Sequence, residues 1–299
     1  MESFDESLKY LLHEEPADFL RFGFADPTLT IIGPCETGLP SRGRDVDGSY
    51  FVMRDGVKMV AHIEFHRRHQ SAEALAIDVA EAQIRLYRRE LCEVVSHVWD
   101  LYGDRAGPLM KHRKLKVGPG SQSTYIRINL RAMRWQQLLA KGPPALWPLV
   151  PLAQDGATEI AVKTARDAIV SRQDQNSSRR ADHLAILWFV AEAEDVPTEL
   201  VKSYIREAQL MESALYKSIF ARGEAQAHAG TIHKLLVRWL GSVDATLRER
   251  VATFPDRDLV AAWHDEALDL NDAESARKLL DKILQTPAPS PAEGSSQAA

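Results

Sequence analysis

Two carboxylates on a predicted β-hairpin are placed where they could hold a divalent cation. Residues 46–65 contain two β-prone runs separated by Asp55-Gly56, the dipeptide typical of a two-residue hairpin turn. With these residues in the turn, pairing outward along the strands puts Asp47 directly opposite Glu64. Opposed like charges destabilise a hairpin. A bound cation would remove that repulsion.

The same register gathers two more polar residues at this end of the hairpin. Asp45 lies opposite His66, and because side chains alternate between the faces of a strand, both share a face with Asp47 and Glu64. Mg²⁺ prefers hard oxygen ligands from one or two carboxylates, with water and substrate phosphate in the remaining positions. Such an ion can activate a water molecule and polarise a phosphoryl oxygen. We therefore predict a Mg²⁺ or Mn²⁺ site held by Asp47 and Glu64, with Asp45 or His66 assisting.

Ordinary ion pairing is the alternative explanation for these carboxylates. Arg44, Arg67 and Arg68 flank the two strands, and surface carboxylates are commonly paired with such cations. In that case the strand ends lie in solvent and the site holds no metal.

The elements around the hairpin predict a mixed α/β fold. Helical periodicity interrupted at Pro16 indicates two short N-terminal helices, and a turn-rich segment with one short strand leads to the hairpin. A hairpin followed by a helix and then a strand places that helix across the sheet. The second face of the hairpin is apolar and is expected to rest on the core. Further predicted elements are helix 72–89, strand 93–101, strand 123–130 and helix 131–140.

Four regions are predicted along the chain. Prolines break the pattern over residues 142–151, and from about residue 158 onward the periodicity is helical. The last residues are rich in Pro, Ser, Ala and Gly, a composition that cannot bury a core. We predict an α/β domain over residues 1–150, a helical linker region over 151–230, a small helical domain over 231–285 and a disordered tail over 286–299.

A long amphipathic helix is predicted within residues 202–239, where apolar residues recur at helical spacing. Such a helix could pair with a second copy and form a homodimer through the C-terminal helices. It could equally pack inside its own chain, and the sequence leaves both alternatives open.

The charge balance limits how the chain could meet nucleic acid. The formal net charge of −5 provides no global attraction for DNA. Contacts with backbone phosphates would have to come from local basic clusters, although basic surface runs are also common as simple solvating groups. The candidate DNA-backbone contacts are Arg67, Arg68, Lys111, Arg113, Lys114 and Lys116.

Composition also excludes several classes of protein. The 2 cysteines, Cys35 and Cys92, form neither a disulfide framework nor a CxxC metal motif. The apolar stretches are far shorter than the roughly 20 residues needed to cross a bilayer. The acidic N-terminus lacks the basic and apolar regions of a secretory signal. We therefore expect a cytoplasmic protein without a membrane partner.

Several motifs occur in the order found in one family of nucleases. They are RDVDGSYFV at residues 44–52, MVAHIEFH at 59–66, RLYRRELCEVVSHVWDLYGD at 85–104 and YIRINL at 125–130. In these motifs the chain resembles the Rpn family of recombination-promoting nucleases and transposases, within the PD-(D/E)XK nuclease superfamily. Segments 210–226 and 235–268 are similar to the helix and the domain of unknown function that often follow in that family. The resemblance covers most of residues 1–284.

The resemblance implies a PD-(D/E)XK nuclease-like core and a metal-dependent DNA endonuclease, associated with recombination or transposition. Its metal-binding aspartate and glutamate fall on Asp47 and Glu64, the two carboxylates that the hairpin register brings together. Many nucleases of this superfamily carry a further carboxylate in the first helix, which makes Glu14 a candidate assisting residue. The alternative for Glu14 is a solvated helix end.

His66 departs from the family pattern, which has Gln or Lys at this position. A neutral histidine can donate one hydrogen bond and a protonated one can stabilise negative charge, so activity could persist with a changed pH dependence or be lost. The alternative function is therefore a catalytically inactive nuclease-fold protein that acts as a DNA-binding or protein-interaction scaffold.

Overall fold

The computed structural model describes residues 2–35, 47–66, 71–102, 106–118, 121–172 and 176–287. The chain divides into two compact units, Met1–Leu215 and Tyr216–Ala299. The tail predicted to be disordered lies outside the described residues from residue 288 onward. Within the part that the structure describes, no helix combines the length and the apolar character needed to cross a bilayer.

The first unit is built on a six-stranded sheet with the strand order β1-β2-β3-β4-β6-β5. Neighbours are antiparallel at β1–β2, β2–β3 and β5–β6, whereas β3–β4 and β4–β6 are parallel. The predicted mixed α/β class is therefore confirmed. The strands are β1 Thr30–Pro34, β2 Gly48–Arg54, β3 Val57–His66, β4 Val94–Asp100, β5 Met110–Gly118 and β6 Ser121–Ile128.

The predicted hairpin and its register are confirmed for β2 and β3. Gly48 pairs with Ile63 at the open end, and Arg54 pairs with Val57 beside the turn. Asp55 and Gly56 have φ angles of 51° and 77°. Two consecutive positive φ angles match a two-residue turn whose twist suits the flanking strands, which is why this dipeptide is favoured.

Helices cover both faces of the sheet. On one face α1 (Glu2–Glu14) is followed by α2 (Pro16–Phe24), in which Pro16 occupies the first turn, as the sequence predicts. The Phe19 ring lies 6.3 Å from that of Phe65 and 4.9 Å from that of Trp99, measured between centroids. On the other face lies the crossover helix α3 (Ala72–Glu90). Its buried residues pack in two clusters against the sheet, which include Val60, Ala82 and Leu86 in one and Leu75, Val79, Val98 and Tyr125 in the other.

The segment after β6 continues the core of the first unit. Pro144–Leu152 forms a 3-10 helix whose Leu146, Leu149 and Val150 are fully buried, so the proline-rich stretch is part of this core. The helix predicted over 131–140 begins later, as α4 (Trp135–Lys141), after a short 3-10 turn. The remaining helices are α5 Glu159–Ser171, α6 Ser177–Ala193, α7 Thr198–Tyr204 and α8 Glu207–Leu210.

The long helix predicted within residues 202–239 is confirmed in part, because α9 covers Ala214–Leu240 but does not extend over the first residues of the range. The structure has separate helices there, α7, α8 and then α9 (Ala214–Leu240). Ile205 and Leu210 are fully buried, which means that these apolar positions pack within their own chain.

The second unit is all helical. After α9 it contains α10 (Thr246–Ala252), α11 (Arg257–Leu268) and α12 (Ala273–Gln285). Its core includes Ile232, Trp263 and Leu279, all fully buried. The second unit therefore has a hydrophobic core of its own.

Candidate metal centre

Polar residues from three strands meet at one edge of the sheet. Asp47 directly precedes β2, Glu64 and His66 end β3, and Asp100 ends the parallel strand β4. The register pairs His66 with Asp100. In open α/β sheets ligands bind outside the carboxyl ends of the parallel strands, so this edge is the candidate functional site.

Asp47 is buried, with 3% of its side chain exposed. The backbone N–H of Phe65 donates a hydrogen bond of 2.8 Å to its Oδ2 atom. The Lys9 Nζ atom, on α1, lies 3.0 Å from Oδ1 and also 3.0 Å from an Asp5 carboxylate oxygen. The cation beside Asp47 is thus Lys9, which the sequence did not indicate, while the arginines at 44, 67 and 68 lie outside the described residues.

The pKa of Asp47 is nevertheless raised above its ordinary value. Burial is the largest cause and the negative charge of Glu64 is the next. The Phe65 N–H and Lys9 act in the opposite direction without cancelling these effects. The charge of Asp47 is therefore incompletely compensated, and Glu64 is near enough to repel it.

Glu64 is partly exposed and follows Ile63, which is the strand partner of Gly48. Its Oε2 atom is 3.6 Å from Nε2 of the buried His62, too long for a hydrogen bond. The other nitrogen of His62 is 3.0 Å from the Ser96 hydroxyl. His62 Nε2 has no hydrogen-bond partner among the residues that the structure describes. Glu64 therefore remains open to solvent and to a ligand from solution.

Asp100 is the centre of a polar cluster that the sequence analysis missed. Only 1% of its side chain is exposed, and its Oδ1 atom is 3.2 Å from Nδ1 of His66. Oδ1 also accepts a hydrogen bond of 3.1 Å from the Tyr102 N–H, and Arg127 of β6 donates to Oδ2. The sequence does show an acidic residue, Asp100, at the end of a predicted valine-rich strand. Its proximity to His66 follows only once β4 is known to pair parallel with β3.

The pKa of Asp100 is lowered. Burial alone would raise it, but the hydrogen bonds from His66 and Arg127 and the charge of Arg127 outweigh that effect. Asp100 is thus stabilised as a carboxylate by its own chain. It holds the His66 ring by one nitrogen at the end of β3.

The donor set of Asp47 and Glu64 suits a magnesium ion. Both offer hard carboxylate oxygens, and the exposure of Glu64 leaves room for water or phosphate. Within the described ranges, no group of three or more His, Cys, Asp or Glu residues could hold a metal ion. Mg²⁺ accepts one or two protein carboxylates because it retains several waters. Asp45, the predicted assisting residue, lies outside the described residues.

Glu14 makes its contacts with α1 and α6. Its carboxylate lies 3.7 Å from His13, and its backbone carbonyl accepts a hydrogen bond of 3.0 Å from Arg179 of α6. It ends α1, five residues beyond Lys9. These contacts agree with the solvated helix end that was the alternative for Glu14.

The predicted basic residues of 111–116 lie on β5, which is the outermost strand on one side of the sheet. Lys111 pairs with Arg127 and Arg113 with Tyr125, so both share the α3 face with Arg127. Lys114 pairs with Thr124 and points to the opposite face. The side chain of Lys116 and both Arg67 and Arg68 lie outside the described residues. Lys111 and Arg127 thus continue the polar edge beyond Asp100.

No protein-family model, curated protein or solved structure matches the chain. The resemblance to the Rpn family stays a prediction drawn from the motifs, and the site is interpreted from its own geometry.

Proposed function

We propose that the protein is a metal-dependent DNA endonuclease of the PD-(D/E)XK type, related to the Rpn nucleases. Asp47 and Glu64 would hold Mg²⁺ or Mn²⁺. The observation that carries this proposal is the position of two carboxylates at the open end of the hairpin, where Asp47 is buried and Glu64 is partly exposed. The raised pKa of Asp47, caused first by burial and then by the charge of Glu64, is consistent with this arrangement. A second cationic partner would stabilise this pair, and a divalent ion supplies two charges at once.

The elements that position the two carboxylates also support the proposal. The hairpin β2–β3 carries both carboxylates at its open end, α3 crosses the sheet, and β4 returns parallel to β3. A hairpin with a crossover helix is the core that the resemblance implies.

Each polar group of the site has a role in such a reaction. The metal, when bound, would activate a water molecule and polarise the phosphoryl oxygen. Asp100 holds the His66 ring where the family has Gln or Lys, and His66 would donate to a water or to a phosphate oxygen. Arg127 and Lys111 would bring positive charge to the DNA backbone along the same edge.

A silent scaffold is the second candidate, and Lys9 is the observation in its favour. Its ammonium group already lies 3.0 Å from Asp47. In a scaffold, Lys9 would replace the metal permanently and the polar edge would bind DNA or a protein without cleaving. Metal binding separates the two candidates.

Cleavage of supercoiled plasmid tests the proposal directly. The full chain is incubated with Mg²⁺, with Mn²⁺ and with EDTA, beside Asp47→Asn and Glu64→Gln, which keep side-chain size and remove charge. Asp55→Asn is the matched control, because Asp55 lies in the exposed turn of the same hairpin and asparagine tolerates its positive φ.

We expect metal-dependent nicking that falls at least about a hundredfold in Asp47→Asn and Glu64→Gln and is unchanged in Asp55→Asn. Folded wild-type protein that leaves the plasmid intact with both metals across a pH series would reject the nuclease. Calorimetric titration with Mg²⁺ then tests the scaffold, because a scaffold should not bind the ion at Asp47 and Glu64.

A further inference from the structure

Exposed apolar residues follow one side of α3 and continue past its end. Ile77, Ile84 and Tyr87 on the helix are exposed by 54%, 57% and 56%, and Leu91, the residue that caps the helix, is exposed by 78%. Ile77, Ile84 and Leu91 are spaced seven residues apart, and Tyr87 lies between the last two. A seven-residue repeat with an intermediate apolar position is the pattern of a helix-to-helix seam.

This stripe adjoins the side of α3 that packs in its own core. Leu75, Val79, Ala82 and Leu86 are buried, and so are Ala76 and Ala80, the latter on the same side of the helix as Ile77 and Ile84. The apolar surface of α3 is therefore wider than the side buried in its own core. Single exposed apolar residues are ordinary, but an aligned row of them marks an interaction surface.

We propose that α3 pairs antiparallel with α3 of a second copy, about a two-fold axis near Ile84. The charges along the helix select this partner and this direction. Its first half carries Glu73, Asp78 and Glu81, and its second half carries Arg85, Arg88 and Arg89 with Glu90. In an antiparallel pair the acidic half of each helix meets the basic half of the other, and the helix dipoles oppose each other favourably. A parallel pair would place like charges together.

The two-fold axis fixes which residues meet. Ile84 packs against Ile84 of the second copy, and Ile77 packs against Leu91. Glu81, which pairs within its helix with Arg85 at 2.6 Å, comes beside Arg88 of the second copy. The surface differs from the C-terminal helices over 202–239 that the sequence analysis offered for a dimer. The proposed dimer does not depend on the proposed nuclease activity.

One pair of helices makes a small interface, at the low end of specific protein contacts. We therefore expect reversible dimers with a dissociation constant in the micromolar range. Sedimentation velocity of the full chain, over a concentration series that spans this range, measures it.

Ile84→Glu should weaken self-association at least about tenfold, because it places two carboxylates face to face on the axis. Ile160→Glu is the matched control, since Ile160 is 70% exposed on α5 and lies outside the stripe. Wild-type protein that stays monomeric would overturn the proposal. So would a dimer that Ile84→Glu and Ile160→Glu affect equally, because another surface would then be responsible.

Disulfide cross-linking tests the register. Ile84→Cys alone should form a covalent dimer under mild oxidation, since only residues near the axis approach their own copies within about 7 Å. Ile77→Cys or Leu91→Cys alone should not cross-link, whereas the double variant should. Every variant carries Cys92→Ser, because Cys92 adjoins Leu91 and could otherwise cross-link with Ile77→Cys of the second copy, and Ile160→Cys gives the background. Efficient cross-linking of Ile77→Cys alone would indicate a parallel pair and overturn the antiparallel arrangement.

Discussion

Asp47 and Asp100 are both buried carboxylates at one edge of the same sheet, yet their pKa values are shifted in opposite directions. The pKa of Asp47 is raised by burial and by Glu64, while that of Asp100 is lowered because bonds from His66 and Arg127 outweigh burial. Both side chains are almost fully buried. Burial alone therefore does not separate the two residues.

The difference lies in what the chain supplies to each carboxylate. Asp100 receives an arginine, a histidine and a backbone N–H, which satisfy both of its oxygens. Asp47 receives one lysine and one backbone N–H, and it faces another carboxylate. The charge of Asp100 is thus compensated by groups of its own chain, whereas that of Asp47 is compensated less completely.

Removing the partner of Asp100 should have the largest effect on stability. Arg127→Met leaves a buried carboxylate with less compensation, and we expect a loss of about 2–3 kcal/mol in the free energy of unfolding. Lys111→Met is the control, because Lys111 lies beside Arg127 in the sheet register but is exposed. Its loss should stay within about 0.5 kcal/mol. Urea denaturation measures both losses. Equal losses would contradict the inference that Arg127 stabilises the buried carboxylate of Asp100.

Metal binding should stabilise the protein through Asp47. At a hundred times its dissociation constant, Mg²⁺ should add about 2.7 kcal/mol to the unfolding free energy. We expect this gain, measured by thermal unfolding with Mg²⁺ and with EDTA, to disappear in Asp47→Asn and to persist in Asp55→Asn. A gain that is unchanged in Asp47→Asn would show that the ion binds elsewhere.

The two carboxylates should also give opposite pH dependences, measured in EDTA. Asp100 has a lowered pKa, so its contribution to stability is present above the ordinary value of 3.8 and is lost as the pH falls through the lowered pKa. Asp47 has a raised pKa, so the folded state holds its proton more tightly and stability declines as the pH rises from 3.8 through the raised pKa.

Asparagine at each position isolates these contributions. Asp47→Asn should remove the decline above pH 3.8, and Asp100→Asn should remove the gain just below it. Urea denaturation across a pH series tests this. If both variants change the curve in the same direction, the two residues do not differ as described.

The smallest effect is expected at Glu14, which the sequence offered as an assisting carboxylate. Its contacts with His13 and Arg179 place it at the exposed end of α1. Glu14→Gln should change stability by no more than about 0.5 kcal/mol and leave plasmid cleavage at the wild-type rate. A large loss of cleavage in this variant would bring Glu14 into the site.

Local patterns were sufficient to predict the hairpin and the pair that it carries. Asp55-Gly56 fixes the turn, and the turn fixes which residues oppose one another, so the register from Arg54–Val57 to Gly48–Ile63 needed no knowledge of the remaining fold. The crossover helix and the strand after it were also readable from periodicity.

Contacts between distant segments could not be predicted in the same way. Lys9 on α1 contacts Asp47, and Arg127 on β6 contacts Asp100. Neither contact can be predicted from the spacing of nearby residues in the sequence. β5 was missed as a strand because its lysines and arginine mask the alternation of an edge strand. The prolines of Pro144–Leu152 suggested a boundary, but a 3-10 helix accommodates them and buries their apolar neighbours.

The Asp55-Gly56 turn also bears on the order in which the site assembles during folding. Hairpins form in about 1–10 μs, whereas the β3–β4 pairing must wait for the closure of the whole α3 crossover. We therefore expect Asp47 and Glu64 to come together before Asp100 joins them, with their repulsion slowing this step. A divalent cation present during refolding should then increase the folding rate, which stopped-flow refolding with Mg²⁺ and with EDTA measures.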